Sequence, residues 1–428
     1  MGIALLVYTQ WFPTTTNDRR VKVQIPTFFV CGCRIIDCNI VRFGVFGGRV
    51  FLLDGQIYMN GLSLFANVGI AETYLSQVGV DIVVANELLP DRARFYQHLY
   101  PDCNMICGDI TNPIIYNSII DESHNNNVEF IIATPPCQGM SIAGQMDPED
   151  PRNYLITYAI DVIRNLGPRY VLMENVFMQL QTTIRYNGQH ILIPEIIETT
   201  LGDDYYIEKK VIDTKFYGVP QQRKRAIFLL SRKDNGTPWT FPPYNEQIVT
   251  LEQAIGDLPS LDPFVKEIEY RNVFPDYELK RQRGLEVSRW HFPRPHVWRN
   301  VEVMMHTPTG KSARQNSIFF PKKKDGTMVG GAPRTYMRME WDHAAPTITS
   351  YNHTISSFQN VHPGRLIEGT ELYSDPRVLT IFEMMRVMSL PDNWDIPNWA
   401  SESLIRKVIG EGVPPLAVRR IVEVLDIH

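Results

Sequence analysis

The sequence has 428 residues, of which 44% are hydrophobic, 11% aromatic and 21% charged. This length exceeds what one hydrophobic core usually accommodates, so we expect a large domain and a smaller one. The composition excludes both a small disulfide-stapled scaffold and a disordered chain. The formal net charge is −5, so the chain as a whole lacks the basic excess typical of nucleic-acid-binding proteins.

The sequence predicts a cytoplasmic protein. It contains no apolar run of about 18 residues, the length of a membrane helix. No basic residue precedes the first apolar run and no small-residue cleavage site follows it, so we expect no secretory signal. Six cysteines in so long a chain are too few for a disulfide framework, which fits a reducing compartment.

Residues 1–58 fit none of the patterns found further along the chain. Cys31, Cys33 and Cys38 lie close together there, but no histidine or fourth cysteine follows at the spacing of a zinc site. We therefore predict no metal site in this segment.

Beyond residue 58, short apolar runs rich in β-branched residues alternate with helix-like segments of roughly ten to twenty residues. This alternation predicts βαβ units and a largely parallel sheet, in which the strand ends at one edge carry ligands and chemistry. The runs are residues 82–85, 130–133, 170–173 and 226–230.

Two prolines and a cysteine follow the run at 130–133. Pro135 and Pro136 end the strand and stiffen the turn, which would hold Cys137 at the carboxyl edge of the sheet. A single cysteine is more often a half-buried side chain than a nucleophile, so its interpretation depends on its neighbours.

Polar groups accompany two of the other runs. Glu174 directly follows 170–173, and a normal crossover would bring it to the same edge as Cys137. Gln221, Arg223 and Arg225 precede 226–230, and alternate residues of an extended chain point the same way. A thiol, a carboxylate and two guanidinium groups would then meet in one cleft.

Basic residues are concentrated late in the chain. Residues 280–338 contain thirteen lysines and arginines and three acids, a net charge of +10, which leaves −15 for the remainder. Aromatic residues are interleaved with these charges, and neither helical nor strand periodicity is sustained. The segment is typical of a loop-rich module with a basic face, although charged runs also commonly serve only to keep a surface hydrated.

These landmarks, in this order, resemble those of the DNA (cytosine-5) methyltransferases. The resemblance begins near residue 60 and continues to the end of the chain, and its Pro-Pro-Cys-Gln, Glu-Asn-Val and Gln-x-Arg-x-Arg elements are highly specific in combination. The matching segments are 65–69, 87, 108–110, 135–141, 174–176, 221–225, 345–349 and 410–414.

The resemblance implies an α/β protein with a Rossmann-like S-adenosylmethionine-dependent methyltransferase fold, built on a mixed, mostly parallel sheet, plus a small target-recognition domain. Residues 59–231 would form the catalytic and cofactor-binding domain, 232–340 the recognition domain, and 341–428 a C-terminal part that returns to the catalytic domain. Residues 1–58 would be an N-terminal extension of unknown role.

The resemblance also implies a mechanism. Cys137 would add as a thiolate to carbon 6 of cytosine, which makes carbon 5 nucleophilic enough to take a methyl group. Glu174, Arg223 and Arg225 would stabilise the charge that develops on the ring, and the two arginines would favour the thiolate. No residue is an obvious base for the carbon 5 proton, so we expect water to remove it.

S-adenosylmethionine is the implied methyl donor. The implied pocket consists of a turn after the first strand, acids after the next two strands and flanking apolar residues: Phe65, Gly69, Glu87, Asp109, Ile110, Pro136 and Leu155. Asn67 replaces the first glycine of the family's turn. Asparagine can adopt the positive φ that this position requires, so the turn can be kept. Glu411 and Gly412 replace two polar residues of the final loop, which adds a carboxylate where that loop meets the donor.

Double-stranded DNA is the implied partner. The target cytosine must leave the base stack, and a loop at 138–153 would close over it. Gln138, Ser141 and Gln221 would contact the DNA, while the basic segment would bind phosphates. We expect a monomer, encoded by a bacterium or phage and associated with the nucleoid, that protects DNA from a restriction endonuclease.

Three alternatives stay open. One is a tRNA cytosine-5 methyltransferase of the same fold, against which the basic module at 280–338 argues. Another is a catalytically silent DNA-binding relative, suggested by Asn67 and Glu411. An adenine or exocyclic-amine methyltransferase ranks lowest, because its acidic or seryl Pro-Pro-aromatic motif is missing.

A methionine stands at the start of the family-like region, and we hypothesise that translation begins at Met59. Mass spectrometry of the native protein should then find no peptide from within residues 1–58. A peptide from that segment would refute the hypothesis and leave a small appended element.

Overall fold

The computed structural model describes residues 58–136, 151–316, 318–323, 325–330, 333–356 and 358–427, and the backbone of four strands before them. The chain divides into two compact units, Met1–Gln56 and Ile57–His428. In the first unit, β1 (Leu6–Phe12) pairs antiparallel with β2 (Val21–Thr27), and β3 (Phe43–Phe46) with β4 (Arg49–Leu52). Cys31, Cys33 and Cys38 lie outside the described residues.

The second unit contains eleven strands among its described residues. They are β5 (Met59–Leu64), β6 (Val80–Glu87), β7 (Asn104–Cys107), β8 (Phe130–Ala133), β9 (Tyr170–Val176), β10 (Thr183–Tyr186), β11 (Gln189–Leu192), β12 (Tyr205–Asp213), β13 (Lys224–Arg232), β14 (Phe264–Val265) and β15 (Pro295–His296).

The helices of this unit flank the strands or follow them along the chain. They are α1 (Pro90–Leu99), α2 (Pro113–Asn125), α3 (Leu155–Leu166), α4 (Ile193–Leu201), α5 (Leu251–Ile255), α6 (Tyr277–Val287), α7 (Trp298–Met305), α8 (Ile381–Val387), α9 (Glu402–Glu411) and α10 (Pro415–Val422). Among the described residues, no helix is long and apolar enough to cross a membrane.

Seven strands form the central sheet, in the order β12-β13-β9-β8-β5-β6-β7. The neighbours from β9 to β7 are all parallel, and β13 runs antiparallel to both β9 and β12. The four apolar runs lie within β6, β8, β9 and β13. The predicted mixed, mostly parallel sheet is therefore confirmed.

Both faces of the sheet are covered, which explains why its strands are apolar without alternation. In β8, Ile131 and Ala133 face a core shared with α2, α3 and α4. Phe130 and Ile132, which alternate with them, face a second core that contains Trp239 and the apolar side of α10. The chain thus returns to the sheet through its last helix.

The basic segment at 280–338 contains two helices that the sequence analysis did not identify. In α6 only Gly284 is buried, so this helix has no apolar stripe for periodicity to reveal. In α7 the buried residues begin at Val301, and they join a small separate core with Val265, Ile355 and Val361.

A buried charge network joins α8 to the residues just before it. Arg377 donates to Asp375 and to Glu383, each at 2.8 Å, and all three side chains are almost fully buried. Glu383 also accepts a hydrogen bond of 2.7 Å from the main-chain N–H of Thr380, which caps α8. Burial would raise the pKa of Glu383, but Arg377 overrides burial and lowers it to about 2.

Replacing Glu383 by alanine should destabilise the fold strongly, because Arg377 would keep its buried charge with half of its partners. We expect the free energy of unfolding to fall by about 3–5 kcal/mol, measured by urea denaturation. As a matched control, Glu423→Ala removes the partly exposed partner of Arg420 and Arg419 and should cost less than about 1 kcal/mol. Equal losses in the two variants would contradict this account.

Candidate active site

Most of the predicted site residues within the described part of the chain lie at the carboxyl edge of the sheet. Glu87 ends β6, Glu174 lies near the end of β9, and Pro136 follows β8. These three strands are parallel, so their ends meet at one edge. The predicted nucleophile Cys137 and the predicted DNA contacts Gln138 and Ser141 lie outside the described residues.

Glu174 and Arg225 form an ion pair at this edge, with 2.6 Å between Oε1 of Glu174 and Nε of Arg225. The register of β13 against β9 pairs Arg225 with Val176 and Ile227 with Glu174. Arg225 and Glu174 are therefore diagonal neighbours on one face of the sheet. The sheet itself brings this carboxylate and this guanidinium together, as the sequence predicted.

Burial raises the pKa of Glu174, and the positive charges of Arg225 and Arg223 partly oppose that shift. A carboxyl group with a raised pKa can hold a proton closer to neutral pH than an exposed one. Glu174 is thus suited to share a proton with a ring nitrogen while Arg225 keeps it in place.

The segment that leads into Cys137 is held by Asn175. Its side-chain amide donates to the carbonyl of Pro135 at 3.0 Å, and its own carbonyl oxygen accepts from the N–H of Val176 at 2.8 Å. Thr134 is fixed in turn by hydrogen bonds to the carbonyls of Leu64 and Phe65. Asn175 belongs to the Glu-Asn-Val motif, and only the structure shows which atom its side chain binds.

Arg223 and Gln221 contact the C-terminal part of the chain rather than Glu174. The guanidinium of Arg223 donates to the carbonyls of Ile348 at 2.7 Å and Gly410 at 3.0 Å. The fully buried side chain of Gln221 accepts from the N–H of Ile348 at 3.0 Å. The ladder with β9 begins only at Arg225, so the residues before it are free to turn towards other segments.

The predicted cofactor turn follows β5 and contains three residues with positive φ: Phe65 at 59°, Asn67 at 53° and Gly69 at 79°. The expectation that Asn67 adopts positive φ is confirmed. At Gly69 a Cβ atom would lie 2.2 Å from the ring of Tyr100, so this glycine is required for packing as well as for conformation.

Glu87 is oriented by main-chain donors. Its two carboxylate oxygens accept from the N–H groups of Asn67 and Leu89, each at 2.9 Å. Burial raises its pKa, while these two hydrogen bonds and Arg92 lower it. Asp109 follows β7 on the neighbouring strand and is exposed, with one oxygen accepting from the N–H of Thr111 at 2.9 Å.

These residues fit a nucleoside ligand. Two carboxylates at the ends of adjacent strands suit ribose hydroxyls and an exocyclic amine. Ile110 is buried, and Phe65, Pro136 and Leu155 are half-buried, which supplies apolar surface nearby. Oδ1 of Asn67 is buried without a hydrogen-bond partner among the described residues, so the turn retains an unused acceptor.

Some of the lysines and arginines in the basic segment bind groups of the protein itself and are not available to DNA. Arg338 is fully buried and donates to the carbonyls of Met304 and His362, each at 2.8 Å. Lys280 pairs with Asp262 at 2.7 Å. The exposed cations of the segment include Arg283, Arg299, Lys311, Lys322, Lys323 and Arg334.

A seven-stranded sheet with one reversed strand, carrying its polar side chains at the carboxyl edge, defines the class of S-adenosylmethionine-dependent methyltransferase folds. The sequence model of the C-5 cytosine-specific DNA methylases matches residues 59–426. The chain belongs to this family and is a DNA cytosine-5 methyltransferase, as the resemblance of its motifs indicated.

Curated relatives agree with this assignment. The chain is 45% identical over 367 residues to the type II methyltransferase M1.HgaI of Avibacterium volantium, an alignment that covers 84% of this chain and 96% of the relative. It is 27% identical to the type II methyltransferase M.DdeI of Desulfomicrobium norvegicum, covering 85% and 88% of the two chains.

Solved structures show the same fold. A putative DNA modification methyltransferase encoded within an Escherichia coli prophage superposes with a TM-score of 0.60 at 20% identity, covering 86% of this chain and 98% of that one. The methyltransferase EhMeth of Entamoeba histolytica gives 0.55 at 14% identity, with the same coverage of each chain.

The two arginines of the Gln-x-Arg-x-Arg motif should differ in their effect on stability. Arg223→Met leaves at least two buried carbonyls without a donor, which should lower the free energy of unfolding by about 2 kcal/mol or more. Arg225→Met removes the partner of Glu174, but burial already raises the pKa of that carboxyl, so it can take up a proton and the free energy of unfolding should fall less. Urea denaturation of both variants tests this, and a larger loss for Arg225→Met would contradict the distinction.

Proposed function

We propose that this enzyme transfers a methyl group from S-adenosylmethionine to carbon 5 of a flipped-out cytosine in a short duplex DNA sequence, through a covalent adduct with Cys137. The observation that carries the proposal is the Glu174–Arg225 ion pair on β9 and β13. It lies at the edge where Asn175 fixes Pro135, two residues before Cys137.

The residues divide the chemistry between them. The Cys137 thiolate forms a bond to carbon 6 of the cytosine, and the electron pair displaced from the double bond moves towards nitrogen 3 and oxygen 2. Glu174 shares its proton with nitrogen 3, and Arg225 holds Glu174 in place and stabilises the developing charge. Carbon 5 is then the nucleophile.

S-adenosylmethionine, when bound, supplies the electrophilic methyl group that carbon 5 accepts. Loss of the carbon 5 proton to water and breakage of the bond to carbon 6 then return Cys137 as a thiolate. Glu87 and Asp109 would hold the polar groups of the donor, and Phe65, Ile110, Pro136 and Leu155 would contact its apolar surface. Gly69 keeps the turn in its observed conformation.

We assign positioning roles to Arg223 and Gln221. The guanidinium of Arg223 is occupied by main-chain carbonyls, so its charge acts on Glu174 from a distance. Gln221 is fully buried and bound to Ile348, which supports a role in holding the Gln-x-Arg-x-Arg segment and not a direct contact with DNA.

DNA would be bound by the exposed cations between residues 283 and 334, which we assign to phosphate contacts. We further propose that residues 232–340 form the recognition domain, that 341–428 return to the catalytic domain, and that a loop at 138–153 closes over the extruded cytosine. Gln138 and Ser141, at the root of that loop, would contact the extruded nucleotide.

The biological setting we propose is restriction and modification. Both curated relatives are named type II methyltransferases. The protein would be encoded by a bacterium or a phage and act as a monomer in the bacterial cytoplasm. It would methylate a short sequence in DNA and so protect that sequence from a restriction endonuclease.

Bisulfite sequencing tests the proposal directly. Plasmid DNA from a host without cytosine methylation should show protected cytosines in one short sequence context when this chain is expressed, and none with Cys137→Ser. A duplex with 5-fluorocytosine at the target should form a complex stable to detergent only with the intact thiol, because fluorine cannot leave carbon 5 as a proton does.

No protected cytosine from a folded, well-expressed protein would overturn the proposal. Methylated tRNA from the same cells would then favour the tRNA enzyme, and DNA binding without donor binding would favour a silent relative.

A further inference from the structure

The last turn of α9 is held by three separate segments of the catalytic unit. Asn67, in the cofactor turn, donates from its side-chain amide to the carbonyl of Val408 at 3.3 Å. Arg223 donates to the carbonyl of Gly410 at 3.0 Å. Arg92, near the start of α1, forms an ion pair with Glu411, with 2.6 Å between Nη2 and Oε2.

Arg92 lies near a second carboxylate. Its charge is among the influences that lower the pKa of Glu87, against the larger opposing effect of burial. Glu87 ends β6 only five positions before Arg92 in the sequence, and Leu89, which lies between them, donates to Glu87. The guanidinium of Arg92 therefore acts on two carboxylates: it forms an ion pair with Glu411, and its charge favours the ionised form of Glu87.

We infer that Arg92 is a positioning residue of the cofactor site: its ion pair with Glu411 holds the end of α9, which binds Asn67 through the carbonyl of Val408, and Asn67 in turn donates to Glu87. The inference rests on the proposed binding of S-adenosylmethionine at Glu87. It assigns a role to Glu411, whose carboxylate departs from the family's pattern: Arg92 neutralises the additional charge.

The Arg92–Glu411 ion pair is partly exposed to solvent. The side chains of Arg92 and Glu411 are 13% and 26% exposed, so water can replace each partner. The other two contacts of the α9 turn are hydrogen bonds to main-chain carbonyls from Asn67 and from the buried Arg223. Release of Arg92 would therefore loosen the Glu411 end first.

Two charged or titratable side chains face Glu87 from the neighbouring elements in the described part of the chain. Arg92 faces it from α1, and the thiol of Cys107 faces it from β7, where Glu87 contributes to raising the pKa of that thiol after burial. Glu411 acts on Glu87 through Arg92. Glu87 also accepts from main-chain N–H groups, among them those of Asn67 and Leu89, which do not titrate.

The sign of the pH effect follows from these contacts. The ionised form of Glu87 accepts two main-chain hydrogen bonds and can still accept from ribose hydroxyls. Removing the charge of Arg92 raises the pKa of Glu87, so the carboxylate becomes protonated at a higher pH. Without the charge of Glu411, Arg92 acts on Glu87 alone, and the pKa of Glu87 falls.

The experiment measures the dissociation constant of S-adenosylmethionine by calorimetry between pH 5.5 and 8.5, for the full chain and for Arg92→Gln, Arg92→Lys and Glu411→Gln. Arg92→Gln should weaken binding about fivefold at neutral pH, which is the scale of one partly exposed ion pair. Its loss of affinity on acidification should begin at a higher pH than in the unmodified protein.

Glu411→Gln should weaken binding less. In this variant the loss of affinity on acidification should begin at a lower pH than in the unmodified protein, or at the same pH. Arg92→Lys should restore part of the affinity, because it keeps the charge. In steady-state methylation, Arg92→Gln should raise KM for the donor by more than it lowers kcat. Arg420→Gln, which removes an exposed arginine of α10, is the matched control and should match the unmodified protein.

The inference would be overturned if Arg92→Gln and Glu411→Gln lost affinity for S-adenosylmethionine at the same pH. An unchanged dissociation constant in Arg92→Gln would also overturn it. If Arg92→Gln does not fold, Arg92→Lys and Glu411→Gln decide the matter by the same pH profiles. Failure of the proposed function gives a different result, because the unmodified protein itself would then bind no S-adenosylmethionine.

Discussion

The antiparallel pairing of β13 with β9 is the constraint on which the rest of the site depends. A fully parallel sheet would present only the end of each strand at its carboxyl edge. Because β13 runs the other way, the residues that enter it lie at the same edge as those that leave β9. Arg225 thereby meets Glu174, and the segment just before Arg225 is placed where Arg223 and Gln221 can bind the C-terminal part of the chain.

At both acids of the site, burial acts against nearby arginines and hydrogen-bond donors. Glu174 and Glu87 each have a pKa raised by burial and lowered by nearby donors, with Arg225 serving Glu174 and Arg92 serving Glu87. A carboxyl group so balanced can change its protonation or its hydrogen bonding when a ligand arrives. At Glu383 the balance is different, because Arg377 binds it through two nitrogens and holds it ionised.

The C-terminal part of the chain completes the site instead of merely covering it. Arg223 reaches Ile348 and Gly410, Asn67 reaches Val408, and Arg92 reaches Glu411. These contacts join residues separated by 125 to 341 positions in the sequence. The turn after β5, the entry to β13 and the end of α9 therefore form one hydrogen-bonded structure around the proposed donor.

The sequence by itself determined the central sheet, the edge that carries the chemistry and the family, because strand composition, proline positions and motif order are local properties of the chain. It predicted that Arg223 and Arg225 would both meet Glu174, because alternate residues of an extended strand share a face; Arg225 does so, whereas Arg223 binds the carbonyls of Ile348 and Gly410. It did not reveal α6, whose surface lacks an apolar stripe, nor the partners of Arg223, Gln221, Asn175 and Arg92. Those partners are main-chain carbonyls and N–H groups or a distant carboxylate, and only tertiary structure decides which of many identical peptide groups a side chain meets.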